Sequence, residues 1–377
     1  MKTTISLLFL AAIYAFPFES KKQSNGVERM CSDNIAGLYL DIVLVFDSSD
    51  GVGSSVAFND EKGLVLPLLK TTIQISQQIP QATRIAYMTA GTDATIINDL
   101  VDFGSVKEAY AGLMKLKYNP KAGYTLNIGR ALFKADYLLN SQKRDPTRNQ
   151  NYKKVIILFT SETDVDCPDN MLASSEVCRT AAGIKNGGTE IMTIRLNFQE
   201  SGPLSPTGIS SPCASFDNDG KVHENIRKSL LRLNCYCISP FVKYIRATDA
   251  CFASADCVYF EESATTYNSA RETAAESNAL LVTIRTKEKQ SYISKFTRIP
   301  MQMHIGLNQL RNASDWQWES GPDASQGYTN FAPGVITKSN SCAYMDTRSE
   351  WRNEDCDGNN LPYIFETEAC STSNFCF

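Results

Sequence analysis

The stretch LYLDIVLVFDSSDGVGSS, Leu38 to Ser55, decides the fold of the first half of the chain. Its apolar run from Tyr39 to Phe46 reads as a strand buried on both faces. At Asp47 the run stops and gives way to hydroxyls, acids and glycines. A phosphate is excluded as the loop's ligand. Val56 stands where a dinucleotide fingerprint needs its third glycine, no Gly-Lys-Ser/Thr ending follows, and Asp47 and Asp50 repel a pyrophosphate. A nucleophile among Ser48, Ser49, Ser54 and Ser55 needs a histidine base, and His223 and His304 fall in a later helix and in another domain. No catalytic residue is assigned and no enzyme is expected. What remains is an oxygen-rich loop suited to a hard cation, or to capping the turn that follows.

Outward from this stretch, strands and helices alternate as far as Phe198. EKGLVLPLLKTTIQISQQI (61–79) reads as a helical run carrying Pro67, TRIAYMTAG (83–91) as a strand and VKEAYAGLMKL (106–116) as a helix. TLNIGRALFKADYLLN (125–140) follows as a helix and KKVIILFTSE (153–162) as a second fully buried strand. CRTAAGIKNGGTEIMTIRL (178–196) reads as helix, glycine stop and strand, and DGKVHENIRKSLLRLN (219–234) closes the unit as a helix. Continuous Val/Ile/Leu strands separated by helices predict an α/β doubly wound, mostly parallel sheet, with ligands at the carboxyl ends of its strands.

Three oxygen-bearing positions converge at those ends: Asp47 with Ser49, Thr125, and Ser161. In this order the motifs resemble a von Willebrand factor type A domain over Leu38 to Leu233. The resemblance implies a metal-ion-dependent adhesion site, with magnesium as its ion and an acidic protein partner completing the shell. Asp47, Ser49 and Thr125 match the family's ligands; Gly51 stands where a second Ser belongs and Ser161 where an Asp belongs. Asp50, Glu162 and Asp164 are near enough in sequence to substitute.

At 377 residues, 43% hydrophobic and 21% charged, the chain has the composition of a folded protein of two domains. The net charge of −4 is unclustered, which argues against nucleic acid. Residues 1–18 carry one early Lys and a short apolar run, the pattern of a secretory signal peptide with cleavage near Ala15. That run is too short to span a bilayer, and no later segment is apolar enough. Twelve cysteines fit an oxidising, extracellular address, and none has the close pair spacing of a zinc knuckle. Cys251 with Cys257, Cys370 with Cys376, and Cys167 with Cys178 are the expected local bridges, and Cys31 is expected to reach Cys235 or Cys237.

Between Cys237 and Cys251 the character changes, giving domains at 31–237 and 251–370. From Cys251 onward the chain holds one good helix, SATTYNSARETAAESNA (263–279), then short strands, all three tryptophans and six of the cysteines. Its landmarks follow in order: HIGL (304–307), DWQWESG (315–321), YTNFAPG (328–334), Cys342, WRNEDC (351–356) and LPYIFE (361–366). In that order they resemble a C-type lectin-like domain, a small α+β fold supported by disulfides. The resemblance implies a Cys342–Cys356 bridge. The family's other bridge has lost both partners, near Ala274 and at Phe365. Its calcium ligands are also replaced: Val335 to Thr337 bring no carboxylate, and Arg352 and Asn353 stand where Asn-Asp belongs. Calcium is therefore not expected. Trp316, Trp318, Tyr328 and Phe331 are candidates for a ligand surface, with burial in the core as the competing use. Asn312-Ala-Ser314 is an N-glycosylation acceptor, His304 reads as structural, and Glu354 and Asp355 read as solvated acids.

The two domains in this order behind a signal peptide resemble secreted nematode proteins that join a von Willebrand A domain to a C-type lectin-like domain. That resemblance implies extracellular recognition of a glycan, a microbial surface or an extracellular protein, with a role in innate defence. Two further readings are metal-dependent adhesion to an acidic protein through Asp47, Ser49 and Thr125, and a structural matrix component.

Overall fold

The computed structural model describes residues 28–70, 73–119, 121–145, 151–162, 167, 175–196, 208–296, 300–311, 315–321, 327–335 and 341–376. The expected signal peptide, Asp164 and the Asn312 acceptor lie outside the described residues.

The opening stretch becomes β1 (Leu40–Asp47), buried along its whole length. The elements that follow are α1 (Ser55–Gly63), α2 (Leu66–Lys70), β2 (Arg84–Ala90), β3 (Ala94–Asn98), α3 (Val106–Lys115), α4 (Ile128–Ser141), β4 (Lys153–Thr160), α5 (Glu176–Asn186), β5 (Thr189–Arg195), β6 (Ser215–Asp217) and α6 (Val222–Leu233). They form a sheet in the order β3-β2-β1-β4-β5-β6, parallel except for β3, which runs antiparallel to β2. Strand alternation explains the unbroken apolar run of β1. Leu40, Ile42, Leu44 and Phe46 pack with Phe58, Leu68, Leu113 and Leu230 on one face, while Val43 and Val45 meet Leu132, Leu139, Ala181 and Ile184 on the other. Each such side chain contributes about 1.5–3 kcal/mol on burial. The single acid within the run, Asp41, is fully buried and neutralised by Arg84 (Nη2 2.6 Å) and Arg144 (Nη2 2.7 Å).

The helix expected over 61–79 is corrected. Helix α1 starts earlier, at Ser55, where the Ser54 side chain accepts from Ala57 N. Pro67 falls in the first turn of α2, where its missing N–H costs nothing, and Ile75 is no longer helical but bridges Thr83. Strand β3, five residues of alternating burial at the edge, gives little sequence signal.

The second unit contains β7 (Val242–Lys243), β8 (Asp256–Thr265), α7 (Tyr267–Glu276), β9 (Leu280–Leu281), α8 (Lys287–Phe296), β10 (Met303–Asn308), β11 (Gln317–Trp318), β12 (Ser341–Met345), β13 (Trp351–Asp355) and β14 (Leu361–Glu368). The sheet runs β13-β12-β10-β14-β8-β7. A second helix, α8, joins the one expected. Its buried residues are Lys289, Gln290 and Ile293, so it shows no apolar stripe to read. Ala274 and Phe365, the positions of the lost bridge, share one buried apolar cluster, so packing replaces the covalent link.

All twelve cysteines are bridged. Cys342–Cys356, Cys31–Cys235, Cys167–Cys178 and Cys370–Cys376 form as expected. The expected Cys251–Cys257 pair is corrected: Cys251 joins Cys213 and Cys257 joins Cys237. Cys257 lies in extended β8 opposite Lys243 of β7, the strand that follows Cys237, and an extended strand carries it away from Cys251. Both bridges cross between the two units. The ends of the described chain cross as well. Residues Arg29 to Cys31 pair with Ala253 and Ala255 beside β8, whereas Cys370 pairs with Tyr236 and Phe375 packs edge-on against Tyr39.

Candidate functional site

Asp47 ends β1 with both carboxylate oxygens engaged. Oδ1 accepts from Ser49 N at 2.9 Å, and Oδ2 accepts from Ser161 N at 2.8 Å and from the Ser161 hydroxyl at 2.6 Å. Ser161 follows β4, the neighbour of β1, so parallel pairing brings the two strand ends together. Asp47 and Ser49 are fully buried, and Ser49 Oγ has no hydrogen-bond partner. Beneath them Glu61 of α1 accepts from Asp47 N at 2.7 Å. Burial, and then the charge of Asp47, push the Glu61 carboxyl well above its ordinary range. Nothing in the sequence marks Glu61 as belonging to the site, since it sits within a helical run like any surface acid.

The surrounding loops are joined to this core by hydrogen bonds. Ser48 N donates to Ala90 O at 2.6 Å, Asn119 N to Ser48 Oγ at 2.9 Å, and Asp50 N to Gly123 O at 3.0 Å. Tyr118 donates to Ser49 O at 3.4 Å, and its phenol is raised by burial and by Asp50 and Asp47. Leu126 N donates to Glu162 Oε1 at 3.3 Å, which places Thr125, exposed just before it, in the same loop cluster. Of the candidate substitutes, Glu162 accepts from a backbone amide and Asp50 is exposed. No cluster of three or more His, Cys, Asp or Glu able to hold a metal occurs among the described residues.

In the second unit the four candidate aromatics gather around the tryptophan that opens the landmark WRNEDC. Trp351 is fully buried at the head of β13, and the rings of Trp318, Tyr328 and Phe331 lie 5.3, 5.8 and 5.4 Å from it. Trp316 adds to the outside of this stack, 5.5 Å from Phe331. Trp318 is 3% exposed and is therefore a core residue, correcting its candidacy as a ligand contact. Trp316, Tyr328 and Phe331 are only partly covered.

The hairpin of β12 and β13 spends its charges internally. Arg352 Nε donates to Asp346 Oδ2 at 2.6 Å, while Asp346 Oδ1 accepts from Arg348 N and Glu350 N. Burial alone raises the Asp346 carboxyl, but these three hydrogen bonds outweigh it and hold the group below its ordinary range. Glu354 is also buried, not solvated as its sequence neighbourhood implies. His304 Nδ1 lies 2.7 Å from its Oε1, and Asn359 Nδ2 donates to its Oε2 at 2.8 Å. The other ring nitrogen of His304 is 2.8 Å from Thr265 O.

Comparison with known proteins matches both halves. The family model of the von Willebrand factor type A domain matches residues 41–213, and that of the lectin C-type domain matches residues 263–364. The mouse secretory phospholipase A2 receptor is 27% identical over 116 residues, 29% of this chain and 8% of that protein. Human C-type lectin domain family 10 member A is 24% identical over 136 residues, 34% of this chain and 39% of the relative. Chicken hepatic lectin is 26% identical over 103 residues, 26% of this chain and 49% of the relative. The chain thus spans less than half the length of these curated relatives. Among solved structures, the carbohydrate-recognition domain of mouse scavenger receptor C-type lectin is 24% identical with a TM-score of 0.30, covering 35% of this chain and 96% of that one. Proximal thread matrix protein 1 of the mussel byssus is 19% identical with a TM-score of 0.39, covering 53% of this chain and 48% of that one.

Proposed function

We propose that this chain, which joins a von Willebrand factor type A domain to a C-type lectin domain, is a secreted recognition protein whose lectin unit binds its ligand without calcium. The ligand class is a glycan on a cell or microbial surface, or an extracellular protein, and the setting is innate defence outside the cell. Six disulfides favour an oxidising compartment. Among the described residues no helix is long and apolar enough to cross a membrane.

The observation that carries the calcium-independent reading is the Arg352–Asp346 pair. Calcium takes six to eight oxygens, several of them carboxylate. Here a guanidinium occupies the hairpin position that the family gives to an oxygen ligand, and both Asp346 oxygens already accept hydrogen bonds. Glu354, the next acid on β13, is buried beside His304 and accepts from Asn359. The hairpin therefore offers no free carboxylate among these groups, and its residues do not fit a calcium ion.

What the unit presents instead is the open side of its aromatic stack, where Trp316, Tyr328 and Phe331 are partly covered. Rings of this kind supply contact area at low entropic cost to either a sugar face or a protein surface. The test is a glycan array probed with the full chain and with Trp316→Ala. Wild-type signal that falls at least tenfold in the variant supports the reading, and equal signal from the two contradicts the assignment of this surface.

A further inference from the structure

We infer that the loop cluster of the type A domain is closed by hydrogen bonds in place of a cation, with the Ser161 hydroxyl seated on Asp47 in the room that Gly51 leaves for it. The inference concerns the other domain and does not depend on what the lectin unit binds.

The donor set does not fit a small divalent ion. Such an ion asks for near-octahedral oxygens, and carboxylate charge sets most of its affinity. At this cluster one carboxylate, Asp47, accepts three hydrogen bonds, two of them from Ser161. The 2.6 Å contact from Ser161 Oγ points a hydroxyl proton at Oδ2, a charge-assisted bond that a cation there would have to break. Ser49 Oγ and Glu61 Oε2 are the buried oxygens left without a partner, and the Asp47 oxygen that faces Ser161 is already taken by two hydrogen bonds, which leaves a poor shell.

The two departures from the adhesion pattern, Gly51 and Ser161, are physically coupled. A Cβ placed on Gly51 falls 2.3 Å from Ser161 Oγ, 3.1 Å from Ser161 Cβ and 3.4 Å from Ser49 Oγ. The backbone of Gly51 is outside the left-handed region, so its conformation does not demand glycine. Space does: any side chain at 51 pushes the Ser161 hydroxyl off Asp47. The pair therefore reads as one arrangement in which a missing side chain at 51 admits a substitute donor at 161. The bonds from Ser48 N, Asp50 N, Asn119 N and Leu126 N fasten the neighbouring loops to the same core.

Two measurements on the full chain test this. Thermal melts in millimolar magnesium, in manganese and in chelator should superimpose. A rise in Tm with either ion that disappears in Ser49→Ala would overturn the inference. A double-mutant cycle then tests the coupling. Ser161→Ala and Gly51→Ala should each lower Tm, and Gly51→Ala should lower it less in the Ser161→Ala background, because the displaced hydroxyl is already gone. Strictly additive shifts would show that Gly51 does not serve Ser161. The metal melts need neither the Ser161 nor the Gly51 variant, so the inference stands or falls on them even if one of those folds poorly.

Discussion

Asp41 and Asp50 are acids of the same strand and loop, yet their loss should have very different consequences. Asp41 is fully buried between Arg84 and Arg144, so Asp41→Asn leaves two guanidinium groups without a counter-charge. Removing one partner of a buried pair costs about 3–5 kcal/mol. Asp50 is exposed and contributes its backbone N–H to Gly123, so Asp50→Asn should change stability by no more than about 0.5 kcal/mol. Urea melts of the two variants check the contrast, and similar midpoints would contradict it. At this scale the sequence is legible for Asp47 and Ser49, whose position after an apolar strand marks them. It is silent on Asp41 and Glu61, because burial of an acid depends on distant arginines or on a neighbouring strand end. Trp316 and Trp351 show the same limit: both read as tryptophans of a lectin-like fold, and only the packing tells the hub from the rim.

Among the elements, α8 was the least visible and is among the most constrained. Its Lys289 donates to Asp256 (2.5 Å) and Glu366 (2.6 Å), and Arg29 from the start of the described chain reaches the same two acids. Burial pushes the Asp256 carboxyl up, but Lys289 and Arg29 together outweigh it and hold it below the ordinary range. A carboxyl lowered in the folded state stabilises the fold above its unfolded pKa, near 3.9, and that contribution disappears as pH falls through the lower folded value. Lys289→Met removes one of the two cations, so acid unfolding followed by circular dichroism should move to higher pH. An unchanged acid midpoint would deny the role of this pair. The same helix supplies Gln290, whose Oε1 accepts from the Trp351 indole at 2.8 Å. Gln290→Ala should cost about 1–3 kcal/mol through the orphaned N–H, visible as a lower Tm. Polar anchors of this kind leave no hydrophobic period, which is why α7 with its Tyr and Ala face was readable and α8 was not.

Over the whole molecule, alternation of strands and helices was enough to read the first unit and ordered landmarks were enough to read the second. The joint between them was not legible. Cys213–Cys251 and Cys237–Cys257 cross it, and the two ends of the described chain each pack beside the opposite unit. Sequence distance favours local cysteine pairs, whereas the observed partners are set by where β7 and β8 lie together. Replacing both Cys213 and Cys251 by Ser should therefore cost about 2–5 kcal/mol and open the joint to limited proteolysis. Digestion at the wild-type rate would contradict that role.

In each domain a hydrogen bond stands where we propose the cation site is altered, Arg352 on Asp346 in one and Ser161 on Asp47 in the other. The central claim is recognition without a divalent ion. It is tested most directly by the binding of the intact protein to a glycan array in calcium and magnesium and again in excess chelator. The account predicts the same ligands at the same strength in both conditions. Binding that vanishes in chelator and returns when calcium is restored would contradict it.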